Sequence, residues 1–206
     1  MKRQFGILFL IGFTFVAAQS ANDAIRRLQH KFNSINNFTA EFSQGVFTTK
    51  GDDQGKSLGK FFYKKKNKFI VELKNQIIIS DGSNVWNYDK KFKRVVISYL
   101  VDDPTSFSLE KFIYDYPGLC KSRLLKDNSA SENEDIIVLT PKDNDLQFKE
   151  VKIWKNSDNL ISKMELTDLG DMKYSFSFSD LKTNIELPDH NFTFTPPKGT
   201  KIIDLR

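Results

Sequence analysis

The stretch Leu58 to Tyr99, LGKFFYKKKNKFIVELKNQIIISDGSNVWNYDKKFKRVVISY, decides the fold. It divides into short runs of sheet-forming side chains: Leu58 to Lys64, Lys68 to Leu73, Gln76 to Ser80, Asn84 to Tyr88 and Arg94 to Tyr99. The separators Lys65-Lys66-Asn67, Asp81-Gly82-Ser83 and Asp89 to Lys93 are hairpin-sized. Parallel strands need longer crossovers, so this spacing predicts a sequential antiparallel meander.

On the N-terminal side, Ile25, Leu28, Phe32 and Ile35 recur at steps of three and four, with Asn22 or Asp23 as a cap. That period predicts one amphipathic helix from Asn22 to Ile35, ended by Asn36-Asn37. The period then becomes two, with Phe38, Ala40, Phe42 and Val46 on one side of a strand, before a polar turn from Lys50 to Gly55. On the C-terminal side, Pro104, Ser106 and the apolar set Phe107, Leu109, Phe112, Ile113 and Tyr116 predict a second, shorter helix closed by Pro117-Gly118. Beyond a polar loop from Lys126 to Asp135, further strands are expected at Ile136 to Thr140, Phe148 to Trp154, Leu160 to Leu166, Lys173 to Phe178 and Asn191 to Thr195. The fold class is therefore α+β, mainly β: a single antiparallel sheet of about ten or eleven strands, which must curl or close at that size.

The chain has 206 residues, 39% hydrophobic and 13% aromatic with 19 Phe, enough for one domain with a real core. Its 31 basic and 26 acidic residues leave +5, a balance that makes no demand for nucleic acid. Met1-Lys2-Arg3, the uncharged apolar run Phe5 to Val16 and the small residues around Ala17-Ala18 have the three-part pattern of a cleaved secretory signal. The run is shorter than the roughly 20 apolar residues a spanning helix needs. Residues 1–18 are thus expected to be removed, leaving 19–206 as a single exported domain.

Cys120 is the only cysteine, so no internal disulfide forms and the thiol is expected in the core. Gly51-Asp-Asp-Gln-Gly55-Lys56-Ser57 has one residue too few between its glycines for a phosphate loop, and a strand follows it. His30 and His190 are the only histidines, and no metal or other cofactor is expected. Acidic pairs at Asp102-Asp103 and around Glu132 and Glu134 sit in polar loops, where solvation outweighs acid-base chemistry; the expectation is a non-enzyme. Two hairpin ends are basic: Lys64, Lys65, Lys66 and Lys68, and Lys90, Lys91, Lys93 and Arg94. They read either as edge protection or as docking to an acidic partner or anionic lipid.

What remains is apolar surface. One face of the curled sheet is expected to carry Phe42, Phe61, Tyr63, Phe69, Val71 and Ile79, then Trp86, Val95, Ile97, Tyr174, Phe176 and Phe178. That is more bulk than one small helix layer covers, so a cavity or groove is expected there. A one-residue slip in any strand would exchange its inner and outer residues.

Three segments resemble the LolA family of periplasmic outer-membrane lipoprotein carriers. Phe192-Thr-Phe-Thr-Pro-Pro-Lys-Gly199, followed by Ile202-Ile-Asp-Leu-Arg206, looks like that family's ending. Ile79-Ser-Asp-Gly-Ser-Asn-Val-Trp-Asn-Tyr-Asp89 looks like its strand, turn and strand, and Leu28 to Gln44 like its opening helix running into F-x-A-x-F-x-Q. The resemblance implies an incomplete barrel whose concave apolar face holds acyl chains. It implies a lid from the helices carrying Ile25, Leu28, Phe32, Leu109, Phe112 and Ile113. It also implies acylated lipoproteins as cargo, an inner-membrane ABC complex as donor, an outer-membrane receptor as acceptor, and a monomeric periplasmic protein; the alternative is a periplasmic lipid- or signal-binding module of the same fold with different cargo. One departure stands out. Where the family has an arginine tied to lid gating, this chain has Lys65, a point charge in place of a planar fork.

Overall fold

The structure, a computed structural model, describes residues 14–48, 50–100, 108–126 and 134–206. Helix α1 (Thr14–Ser34) begins upstream of the expected Asn22 and runs through Ala17-Ala18. A long antiparallel pair follows, β1 (Asn37–Phe47) and β2 (Asp53–Lys64), then the meander β3 (Lys68–Leu73), β4 (Gln76–Asp81), β5 (Asn84–Asp89) and β6 (Arg94–Tyr99). A π-helical segment (Lys111–Asp115) runs into α2 (Tyr116–Leu119). The rest of the sheet is β7 (Cys120–Lys126), β8 (Asp135–Pro141), β9 (Phe148–Lys155), β10 (Ile161–Asp168) and β11 (Lys173–Thr183), and after a 3-10 turn (Asp189–Phe192) the chain ends in β12 (Lys201–Asp204).

All twelve strands form one sheet in the order β12-β6-β5-β4-β3-β2-β1-β11-β10-β9-β8-β7. Every pairing is antiparallel except β12 on β6. The pairing of β1 with β11 joins the early meander to the late one, and a bulge between Thr39 and Glu41 bends it where Asp180 takes a φ of 50°. A second close approach lies at Gly59, where a Cβ would come within 1.9 Å of the Glu72 carbonyl oxygen, so only glycine lets β2 and β3 meet there. The turn at Asp81-Gly82-Ser83 needs Gly82 for a φ of 97°.

Two expectations change. Asn191 to Thr195 is not a strand: flanked by Pro188 and by Pro196-Pro197, it crosses the outer face as a strap, with its 3-10 turn against β3 and β4. The true last strand is Lys201–Asp204, and Cys120–Lys126 is a strand the sequence pattern did not single out. Those two strands are the two edges of the sheet. Among the described residues no helix is long and apolar enough to cross a membrane.

Candidate functional site

The inner face of the sheet is paved with aromatic rings. Phe42 lies beside Phe61 (centroids 5.9 Å) and Phe178 (5.6 Å), and Phe61 meets Phe178 edge-on at 5.3 Å. Phe38 extends the series to Tyr63 at 5.2 Å, and Phe32 of α1 closes on both Phe38 and Tyr63 at 6.0 Å. Such offset and edge contacts add to the large area each ring buries. Phe69 and Val71 join the same core, and Phe176 packs against it. Tyr174, in phase with Phe176 and Phe178, is only half-buried, and its hydroxyl pairs with Asp168 at 3.4 Å.

Four of the expected residues lie on the other face. Ladder pairing places Ile79 opposite Trp86 and Trp86 opposite Ile97, in phase with Ile70 and Phe62, whereas Phe61 and Val71 point inward. Val95, Ile97 and Trp86 form a separate cluster with Tyr88, covered by Phe194 of the strap. Ile79 borders a shallow outer depression of about 310 Å³ with Phe62, Ile70, Ile77 and Leu187. The single-face reading is therefore corrected for Ile79, Trp86, Val95 and Ile97; in their strands the inner positions are Ile78, Val85 and Val96. The cause is the strap, which gives these strands two buried faces and so removes the alternation that fixes parity.

Both helical segments pack onto the inner face. Ile25, Leu28 and Phe32 of α1, with Leu109, Phe112 and Ile113 of the second helical segment, are all buried in the main core. Phe38, Phe148, Met164 and the run Ile137 to Leu139 are equally buried, although the sequence pattern marks them only as strand positions. Except for Val138, which alternates to the other face, their signal is the inward parity of strands that flank the aromatic set.

Polar contacts at the rim hold both helical segments down. The Tyr63 hydroxyl donates to Glu110 at 2.6 Å, and the Asn67 amide donates to the same carboxylate at 3.0 Å. Burial, the Glu110 hydrogen bond and its charge together push the Tyr63 hydroxyl far above the usual phenol range. Ser108 donates to Asn67 at 2.7 Å. Lys65 donates to the Asn33 carbonyl at 2.9 Å, near the C-terminal end of α1, where a cation suits both the free carbonyls and the dipole.

The two helical segments are also tied to each other. Pro117 cannot donate to the Ile113 carbonyl one turn back, and the backbone shifts to a π register in which the Tyr116 amide donates to Lys111. The freed Ile113 carbonyl accepts from Gln29 Nε2 of α1 at 2.9 Å.

Other candidate groups are peripheral. Cys120 is buried, and burial raises its thiol pKa, so little thiolate forms. His30 is exposed on α1. Asp102, Asp103 and Glu132 lie outside the described residues, and Glu134 is half-buried before β8. No group of three His, Cys, Asp or Glu positioned to hold a metal occurs among the described residues.

A protein from Neisseria meningitidis serogroup B named outer-membrane lipoprotein carrier protein is 28% identical to this chain over 202 residues, covering 97% of this chain and 96% of that one. A protein of the same name from Glaesserella parasuis is 27% identical over 218 residues, covering 100% and 96%. Among solved structures, an uncharacterized conserved protein from Thermus thermophilus superposes with a TM-score of 0.60 at 15% identity, covering 90% of this chain and 99% of that one, which supports the fold. The family profile described as outer membrane lipoprotein carrier protein LolA matches residues 33–195, from the last turn of α1 through the strap. The chain belongs to the LolA family.

Proposed function

We propose that this chain is a periplasmic carrier that shelters the acyl chains of lipoproteins against the inner face of its sheet. It takes them from an inner-membrane ABC complex and gives them to an outer-membrane receptor. Residues 1–18 direct export and are removed, residues 19–206 do the carrying, and no bond is made or broken. The observation that carries the reading is the aromatic floor of Phe42, Phe61 and Phe178 beneath two helical segments held by a few rim contacts. The names of the relatives above agree with it.

Each acyl CH2 left in water costs about 0.8 kcal/mol, so a chain of about 15 such groups carries on the order of 12 kcal/mol of preference for cover. Buried side chains of α1 and of the 109–119 segment occupy that face, so an acyl chain reaches it only if these segments lift away. Closure in the empty state therefore competes with loading, which keeps cargo affinity low enough for release. Tyr63, Phe69, Val71, Tyr174 and Phe176 extend the acyl-chain surface, and Lys65 takes the place of the family's gating arginine.

The test adds the protein to spheroplasts and examines the soluble fraction by immunoblotting and lipid mass spectrometry. Soluble one-to-one complexes with acylated lipoproteins are expected, and cross-linking either helical segment to the sheet should block their formation. Recovery of free phospholipid alone, or of no cargo, would overturn the reading.

A further inference from the structure

The β5–β6 hairpin ends in an aromatic ring that packs on no core. Phe92 is 66% exposed at its tip, beside Lys91, whose ammonium lies 5.4 Å from the ring centroid. The tip is fixed in place: the Asp89 carboxylate accepts the backbone amides of Lys91 and Phe92, each at 2.9 Å, and Lys93 takes a φ of 47°. Asp89 is thus absorbed by the turn.

The surroundings are basic. Lys90 bridges to the neighbouring β3–β4 turn, its amide to the Asn75 carbonyl at 2.9 Å and its ammonium to the Leu73 carbonyl at 2.8 Å, which brings Lys74 to the same end of the sheet. The Lys201 amide donates to the Lys93 carbonyl at 2.8 Å and Lys201 pairs with Arg94, so the start of β12, with Lys198 just before it, lies there too. Lys91, Lys93, Arg94, Lys198 and Lys201 are all exposed, and none forms an ion pair among the described residues. One corner of the molecule therefore gathers seven basic side chains, against the carboxylates of Asp89 and Glu72 nearby.

From this arrangement we infer that the β5–β6 hairpin tip docks the protein on a bilayer surface containing anionic phospholipid, with Phe92 at headgroup depth and the surrounding cations over the lipid phosphates. An acidic protein surface would account for the charge but leaves an uncovered ring at the apex unexplained. A headgroup layer accounts for both, because an exposed apolar ring gains by leaving water at the headgroup–acyl boundary and lysines beside it reach the phosphates. The inference concerns the outer end of the sheet and does not depend on what the interior carries.

The test floats the protein, in the form its producing cell exports and processes, with vesicles of phosphatidylcholine alone or with 30% phosphatidylglycerol. Binding to the mixed vesicles only is expected, weakening steeply between about 50 and 300 mM salt. Each neutralised cation should lower partition about fivefold, so Lys91→Gln with Lys93→Gln should lower it on the order of twentyfold. Phe92→Ser should cost several-fold while Phe92→Trp retains partition, and unchanged melting curves would show that all variants fold. Equal binding to both vesicle types, no binding to either, or full binding by Phe92→Ser would overturn the inference; the last, with charge dependence intact, would point to an acidic protein surface.

Discussion

Tyr63 and Glu110 meet at 2.6 Å across the rim of the sheet, a β2 phenol donating to a carboxylate at the start of the second helical segment. A hydrogen bond to a charged group contributes about 1.5–3 kcal/mol. Tyr63→Phe keeps the ring contacts with Phe38 and Phe32 and removes only this bond. Chemical denaturation should show a loss of about 1–3 kcal/mol, and uptake of an acyl-chain probe should become faster. A variant that loses stability but takes up the probe no faster would break the link between this bond and opening.

Lys65 tests the other helical segment. Lys65→Ala removes the cation near the C-terminal end of α1, which at a surface site is worth about 0.3–1 kcal/mol. Hydrogen exchange should rise in the last turn of α1, with little change in β9 or β10. Lys65→Arg should restore protection, since a guanidinium can also reach the Asn33 carbonyl.

Acid should release the strap. Asp189 lies between Lys64 (2.6 Å) and Lys68 (2.8 Å), whose hydrogen bonds lower its carboxyl pKa from near 3.8 to about 2. A group with a depressed native pKa stabilises fully above its unfolded value, and the contribution is lost as pH falls through the native one. Asp189→Asn should therefore melt lower than the parent at pH 6, and the gap should narrow from about pH 4 downward and close as pH falls through about 2. A gap as wide at pH 2 as at pH 6 would mean the pair does not act through ionisation.

Two glycines should respond in opposite senses. Gly59→Ala drives a methyl into the Glu72 carbonyl, and such overpacking costs about 1–3 kcal/mol or more. Gly118→Ala meets nothing within 4 Å in α2 and should be neutral or gain up to about 1 kcal/mol. Thermal melts of the two variants check both.

The hairpin spacing between Leu58 and Tyr99 fixed the meander because its turn residues are local and chemically explicit. Parity failed where local information ran out. Ile77-Ile78-Ile79 is apolar at successive positions, and only the distant Phe194 and Leu187 reveal that both faces of its sheet region are covered. The edge strands Cys120–Lys126 and Lys201–Asp204 have a neighbour on one side only, so they need little apolar pattern; β12 is almost wholly exposed. The aromatic floor was legible ring by ring in Phe42, Phe61 and Phe178. The rim bonds from Tyr63 and Asn67 to Glu110 join residues more than 40 positions apart and left no mark on spacing.

The seam between β1 and β11 also governs how the chain reaches this shape. Phe42 pairs with Gly59 on one side and Phe178 on the other, so one half of its neighbourhood forms early and the other only after nearly the whole chain has been made. Pairings of such sequence separation bear a large loop-closure entropy and slow folding into the millisecond-to-second range. During that interval the rings of Phe42 and Phe61 stand in water without Phe178, and the nascent protein presents a sticky surface to its surroundings. A maturing copy should therefore need protection from the same hydrophobic encounters that, once finished, it spares others.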